Sequence, residues 1–154
     1  MYKIKVGILI EQDNKLLLIK EANDHGEPKW NIVKGTFDEA SDRDIFETAQ
    51  RECQEEINAS VELTGLLNVS IIAKDSGNVV QFNFLAHIIS GEPKVSSSEF
   101  QKSLNENITA IKFFTKEELK ELKPEEFMNS RAAVAVQDWL SGQRSDLGTI
   151  RSLN

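Results

Sequence analysis

The run Arg51-Glu52-Cys53-Gln54-Glu55-Glu56 is the densest set of chemically useful side chains in the sequence. On an α-helix, at about 100° per residue, Glu52, Glu55 and Glu56 project within roughly an 80–100° arc of one face. Ile45, Phe46, Ala49, Cys53 and Ile57 fall at helical spacing around them. The centre of that apolar stripe lies only about 90° from the centre of the acidic arc, with Glu56 near the stripe's edge. Three carboxylates beside a core repel each other and lose hydration, which raises their pKa values unless cations or donors compensate. A hard divalent cation offers that compensation: Mg²⁺ prefers carboxylate oxygens, keeps waters and is completed by substrate phosphates. The competing reading is a solvated acidic face, which sits more comfortably opposite a core. The only histidines are His25 and His87, so no Ser/His/Asp or Cys/His nucleophile arrangement accompanies the acids. Cys53 lies on the apolar stripe and reads as core packing.

The rest of the chain must hold that helix. With 154 residues and 40% hydrophobic content it is the size of one ordinary domain with a sizeable core. One cysteine excludes an internal disulfide and fits a reducing, cytoplasmic setting. No run approaches the roughly 18 apolar residues of a membrane span, and Glu11 to Lys15 interrupt the N-terminal segment, which excludes an anchor or signal peptide. The net charge of -7 argues against broad nucleic-acid binding. An acidic ligand would need a local source of positive charge.

Lys3 to Ile10 and Leu16 to Ile19, separated by Asp13-Asn14, predict a β-hairpin. A polar loop from Asn23 to Pro28 leads to Trp30 and a short extended segment at Ile32-Val33, and Gly35 opens a second loop over Thr36 to Arg43. Asp44 and Glu47 resemble a capping box, so the acidic helix runs from there to Asn58, a residue that tolerates a left-handed C-cap. Strands are expected over Val61 to Ile72, Val79 to Ile88 and Ile108 to Phe114. Gly91 to Glu106 is a candidate active-site loop. Thr115 with Glu118 looks like a second capping box. A last amphipathic helix runs from about Met128 to Leu140 with Trp139 inward, and the tail Ser141 to Asn154 has little to hold it down. Strands with flanking helices suggest a three-layer mixed α/β sandwich.

Gly35, a loop, and then Arg-Glu-hydrophobic-x-Glu-Glu resemble the Nudix (MutT-like) box. The match is close over residues 35 to 59. The hairpin before it, the Lys29-Trp30-Asn31 lead-in and the Ile108 to Leu119 segment extend it over most of the chain. The resemblance implies an α/β/α sandwich with a mixed sheet, in one domain over residues 1–141 with a tail at 142–154. It implies Mg²⁺ or Mn²⁺ held by Glu52, Glu55 and Glu56, with the backbone carbonyl of Gly35 as a further donor. Arg51 would hold the helix carboxylates by an ion pair, and one of the glutamates, on the helix or on a loop, would orient or deprotonate the attacking water. Metal-assisted, in-line attack on a phosphoanhydride follows.

The chain also departs from the family pattern. Gly35 to Arg51 is two residues longer than usual, and Arg43 falls where the family has its first glutamate. Asp38, Glu39 and Asp42 are the candidates to replace that carboxylate. Val33-Lys34 stands for the usual Pro-Gly, and Asn58 for the later glycine. Lys20 and Lys34 are candidates to meet a phosphate, or else solvated lysines; Trp30 is a candidate to stack on a base, or else to pack. Glu99 or Glu106 is the candidate late glutamate. The expected ligand is a small nucleotide or pyrophosphate compound, and a homodimer is compatible with the family. Two readings follow: a pyrophosphohydrolase acting on a nucleoside di- or triphosphate, free or linked to another moiety, and a degenerate domain that binds a nucleotide or protein partner without turnover.

Overall fold

The computed structural model describes residues 2–22 and 24–153, so the expected loop start at Asn23 and the outermost residues of the expected domain and tail lie outside the described residues. Strand β1 (Tyr2–Gln12) and strand β2 (Lys15–Ala22) are joined by Asp13 and Asn14 at φ 51° and 60°. Both turn residues are left-handed, the conformation that lets a two-residue loop follow strand twist. The hairpin then opens. Only Glu11↔Leu16 and Gln12↔Lys15 face each other. Beyond them β1 runs between β4 (Val33–Thr36), antiparallel, and β6 (Asn78–Ser90), parallel, while β2 runs between β3 (Pro28–Asn31) and β7 (Ile108–Phe114), both antiparallel. Strand β5 (Ser60–Ile72) closes the far edge against β6, giving a mixed seven-stranded sheet. The extended segment after the first loop is therefore two strands. Its break at Ile32 carries the chain from β2's partner to β1's partner.

Alternation on the strands feeds two cores. Ile8, Ile10, Leu17 and Ile19 pack with Ala49, Cys53 and Ile57 of helix α1 (Ile45–Ile57). Leu9, Leu16 and Leu18 pack on the other face with Leu119 of α3 (Lys116–Glu121) and Ala132, Ala135, Val136 and Trp139 of α4 (Ser130–Leu140). A sheet covered on both faces wants unbroken apolar runs, which is why Val6 to Ile10 and Leu16 to Ile19 look so. Each fully buried aliphatic side chain contributes about 1.5–3 kcal/mol. The result is the expected three-layer α/β/α sandwich with a mixed sheet. No helix among the described residues is long and apolar enough to cross a membrane.

Two expectations change. Within the polar stretch Gly91 to Glu106 a short helix, α2 (Ser98–Ser103), forms behind Ser97, whose side chain accepts from Phe100 N–H. Gln101 locks the loop: its amide donates to the carbonyls of Ser96 and Ile108 and accepts from Ile108 N–H at 2.6 Å. The C-terminal segment is not loose either. Ser145 exchanges two backbone hydrogen bonds with Leu66 on β5, Gln143 donates to the Leu67 carbonyl, Arg144 pairs with Glu11, and Leu147 and Ile150 pack against the α1 core. An edge strand offers unpaired backbone groups, and here the chain's own end takes them.

Candidate active site

Helix α1 is held in register by its ends. Asp44 accepts from Phe46 and Glu47 N–H, and Asn58 closes the helix in the left-handed conformation at φ 56°. Glu47 does not complete a capping box on Asp44; its carboxylate accepts from Arg43 N–H instead. Ala49, Cys53 and Ile57 anchor one stripe in the core, so Glu52 and Glu56 are carried into the protein beside it, 5% and 1% exposed. Burial, chiefly, raises Glu52 to about 7 and Glu56 to about 8 from an ordinary 4.5. Burial likewise pushes the Cys53 thiol far up, so it is packing and no nucleophile.

Two cations gather the acids. Arg51 grips the buried Asp42 with Nε and Nη2, both at 2.8 Å, and spends Nη1 on Glu52 at 2.8 Å and Glu55 at 3.2 Å. Its remaining reach goes to the Thr36 carbonyl at 3.1 Å. Such a bidentate, charge-assisted pair is strong and geometrically exacting; the Arg51 side-chain bond is the chief reason the Asp42 carboxyl is lowered to about 2. Lys34 Nζ sits 3.0 Å from Glu21 and 3.4 Å from Glu56, and its backbone N–H donates to Glu56 at 3.1 Å. Burial alone would lower the Lys34 pKa, but Glu56 and then Glu21 outweigh it and hold the ammonium charged.

Carboxylate oxygens of Glu21, Glu56 and Glu106 come within 4.8 Å of one another. Three carboxylates therefore face one ammonium, and Glu106 and Glu21 add their repulsion to the burial that raises the Glu56 pKa. Gly35 is required by this packing: a Cβ there would stand 1.7 Å from the Glu52 carboxyl carbon. Lys5, Lys34, Gly35, Arg51, Glu52, Glu55 and Glu106 line an open pocket of about 480 Å³. Carboxylates gathered in this way, buried or at the edge of an open pocket and beside a bare glycine backbone, are a donor set that could hold a hard cation.

A NUDIX domain profile matches residues 1–135, most of the chain. The chain belongs to the NUDIX hydrolase family. Solved NUDIX structures share the fold: a NUDIX hydrolase from Nitrosomonas europaea has a TM-score of 0.80 at 21% identity over 99% of this chain and 98% of its own. A MutT NUDIX hydrolase from Burkholderia pseudomallei gives 0.70 at 23% identity over 90% of this chain and 98% of its own. An ADP-ribose pyrophosphatase from Streptococcus suis gives 0.64 at 24% identity over 93% and 92%. None of the curated proteins matches.

The NUDIX departures resolve in space. Arg43, in register with the family's first glutamate, has a side chain 88% exposed and, among the described residues, pairs only with Glu47. Of the three candidates to replace that glutamate, Asp42 is the one buried against Arg51, while Asp38 and Glu39 are exposed. The two-residue lengthening thus delivers a carboxylate to Arg51 by a different route. Glu106, not Glu99, reaches the pocket; Glu99 is exposed on α2. Glu106 is held there because its backbone N–H bonds to the Gln101 carbonyl at 2.8 Å.

Lys20 and Trp30 are not brought to the carboxylates. They are cross-strand neighbours of β2 and β3, with Lys20 Nζ 5.1 Å from the Trp30 ring. Trp30 packs edge-to-face on Phe114 at 4.7 Å, in the α3/α4 core, opposite α1. Glu21 and Lys5 join the site without belonging to any motif of the sequence. Glu21 follows Leu17 and Ile19 at the two-residue period of the α1 face, and that period was the available signal.

Proposed function

We propose that this NUDIX hydrolase cleaves a phosphoanhydride bond in a nucleoside di- or triphosphate, or in a nucleoside diphosphate linked to another moiety, with Mg²⁺ or Mn²⁺. The observation that carries the reading is charge. Asp42, Glu52 and Glu55 share Arg51, Glu21 and Glu56 share Lys34, and Glu106 stands beside the second set with no ion pair of its own among the described residues. The residues fit a hard divalent ion: all donors are oxygen, and the excess negative charge is buried. Glu52, Glu55 and Glu56, with the Gly35 carbonyl, would hold it, and Glu21 and Glu106 stand beside Glu56. Bound there, the ion supplies positive charge for a pyrophosphate and a more acidic water.

The chain's own groups do the rest. Arg51 fixes the rotamers of Glu52 and Glu55. Lys34 keeps Glu56 in place and presents a half-buried positive charge at the pocket wall. Glu106 enters no ion pair among the described residues, so its carboxylate is the one free to orient the attacking water and take its proton. Lys20 and Trp30, on the opposite face, have no part in this mechanism. Asp42's clamp on Arg51 leaves the altered loop's support intact, which favours turnover over the binding-only reading.

The test is release of nucleoside monophosphate or phosphate from nucleoside triphosphates, nucleotide sugars, dinucleoside polyphosphates and coenzymes, with Mg²⁺ and with chelator. Metal-dependent turnover of any member supports the reading; an inert panel with folded protein sinks it.

Stability gives a second expected outcome. In chelator, Glu52 and Glu56 have folded pKa values of about 7 and 8, above the unfolded value near 4.5. Between those limits the folded state binds more protons, so stability is fully present below about 4.5 and is lost as pH rises through 7 to 8. Thermal unfolding in chelator should show Tm falling by several degrees from pH 5 to pH 8.5. Added Mg²⁺ should restore it more at pH 8 than at pH 6, because the ion competes with those protons. A Tm that is flat with pH and indifferent to Mg²⁺ contradicts the buried acid cluster.

A further inference from the structure

A cleft of about 770 Å³ opens where the start of β1, the end of β4 and the β5–β6 turn meet, with Tyr2, Lys3, Lys5, Phe37 and Lys74 in its walls. It adjoins the carboxylate pocket: Lys5 and Asp38 line both. Lys5 pairs in register with Gln81 on β6, and Arg131 of α4 donates to the Gln81 side chain at 3.2 Å, which places ammonium and guanidinium side by side on the α3/α4 face. Both are half-buried. Among the described residues neither has a carboxylate within ion-pair distance, and the same holds for Lys3 and Lys74. Asp38 and Glu39 also line the cleft but are exposed and pair with none of these cations.

Such an arrangement is costly. Burial and then the charges of Arg131, Lys3, Lys34 and Lys74 all push the Lys5 pKa down. In a chain of net charge -7, like charges have been collected at one place, and the carboxylate that feels Lys5, Glu106, lies across the adjoining pocket and not in the cleft. An anion removes that repulsion, and two aromatic side chains beside it offer faces for a planar ring.

We propose that this cleft binds a phosphorylated nucleoside unit of the substrate that lies beyond the scissile anhydride, its phosphate on Lys3, Lys5 and Lys74 and its base against Tyr2 and Phe37. The assignment rests on the hydrolase reading and narrows its substrates to dinucleotide-type phosphoanhydrides. Arg131 acts behind Lys5 as a positioning residue, through the charge it adds to the cleft.

The test needs no turnover. AMP and inorganic phosphate are titrated separately into ¹⁵N-labelled protein in chelator, where the unneutralised carboxylates of α1 repel both. AMP is expected to shift the amides of Lys3, Lys5, Lys74 and Gly77 saturably, and Lys74→Gln and Lys3→Gln are each expected to weaken it about tenfold, the loss of one charged hydrogen bond. Shifts confined to other residues, or an unchanged Kd in both variants, overturn the proposal. Inorganic phosphate binding as tightly as AMP also overturns it, because the cleft then takes a free anion. Because neither lysine holds the metal site, AMP binding in the cleft with an inert hydrolysis panel would sink the hydrolase alone. Turnover with no binding in the cleft would sink only the cleft.

Discussion

Glu56→Gln is expected to lower kcat by about 10³-fold or more while leaving the metal-free protein at least as stable as the parent. The first effect follows from removing a charged oxygen donor at the place where the transition state needs a cation held still; a loss of about 4 kcal/mol of charge stabilisation corresponds to that factor. The second follows from burial. Glu56 is 1% exposed, crowded by Glu106, Glu21 and Glu52, and its carboxyl favours the neutral form. Glutamine has the shape of that neutral form, and Lys34 keeps Glu21 as a partner at 3.0 Å. Steady-state kinetics with Mg²⁺ and thermal unfolding in chelator read the two effects separately. A variant that keeps its activity removes Glu56 from the mechanism. One that unfolds shows that its charge is structural.

Arg51→Met should do the opposite to stability. Methionine keeps much of the side chain's length but leaves Asp42, whose side chain is fully buried, without the guanidinium at 2.8 Å from each of its oxygens. Breaking a buried pair from one side costs about 3–5 kcal/mol, because the remaining charge stays desolvated. The lower end applies, since Thr48 and the Asp38 N–H still bond to Asp42 and the Arg51 side chain is itself 26% exposed. In a domain of this size about 3 kcal/mol lowers Tm by roughly 6–12 °C. Activity falls as well, as Glu52 and Glu55 lose the group that orients them. Adding Asp42→Asn to Arg51→Met should recover part of the stability and none of the activity, which a double-mutant cycle measures. Full additivity of the two changes would show that the pair is not coupled.

Much of this was legible along the chain. Period-2 and unbroken apolar runs located the strands, and β7 begins and ends at the expected residues, Ile108 and Phe114. The stop at Asn58 was readable because few residues other than glycine accept φ 56° without strain. The capping box of Thr115 and Glu118 forms as its spacing demands. The acidic arc beside the apolar stripe is a property of helical geometry alone, so the burial of Glu52 and Glu56 could be expected before any coordinates.

What the sequence by itself determined, then, is what local periodicity and side-chain chemistry control: strands, helices, caps, and three carboxylates turned toward a core. Tertiary structure alone decided the partners. The hairpin of β1 and β2 splits after two residue pairs, and that split sets Glu21 against Lys34 although they belong to strands that do not pair with each other. The carboxylate serving Arg51 is Asp42 and not the residue in register, because a lengthened loop can deliver its acid from any position that folds inward. Lys20 and Trp30 sit on the opposite face of the sheet from α1, while Glu106 arrives from a loop pinned by Gln101. Charge and hydrogen-bond partners are chosen by distance in space, and a single sequence does not encode distance between segments until the sheet order is known.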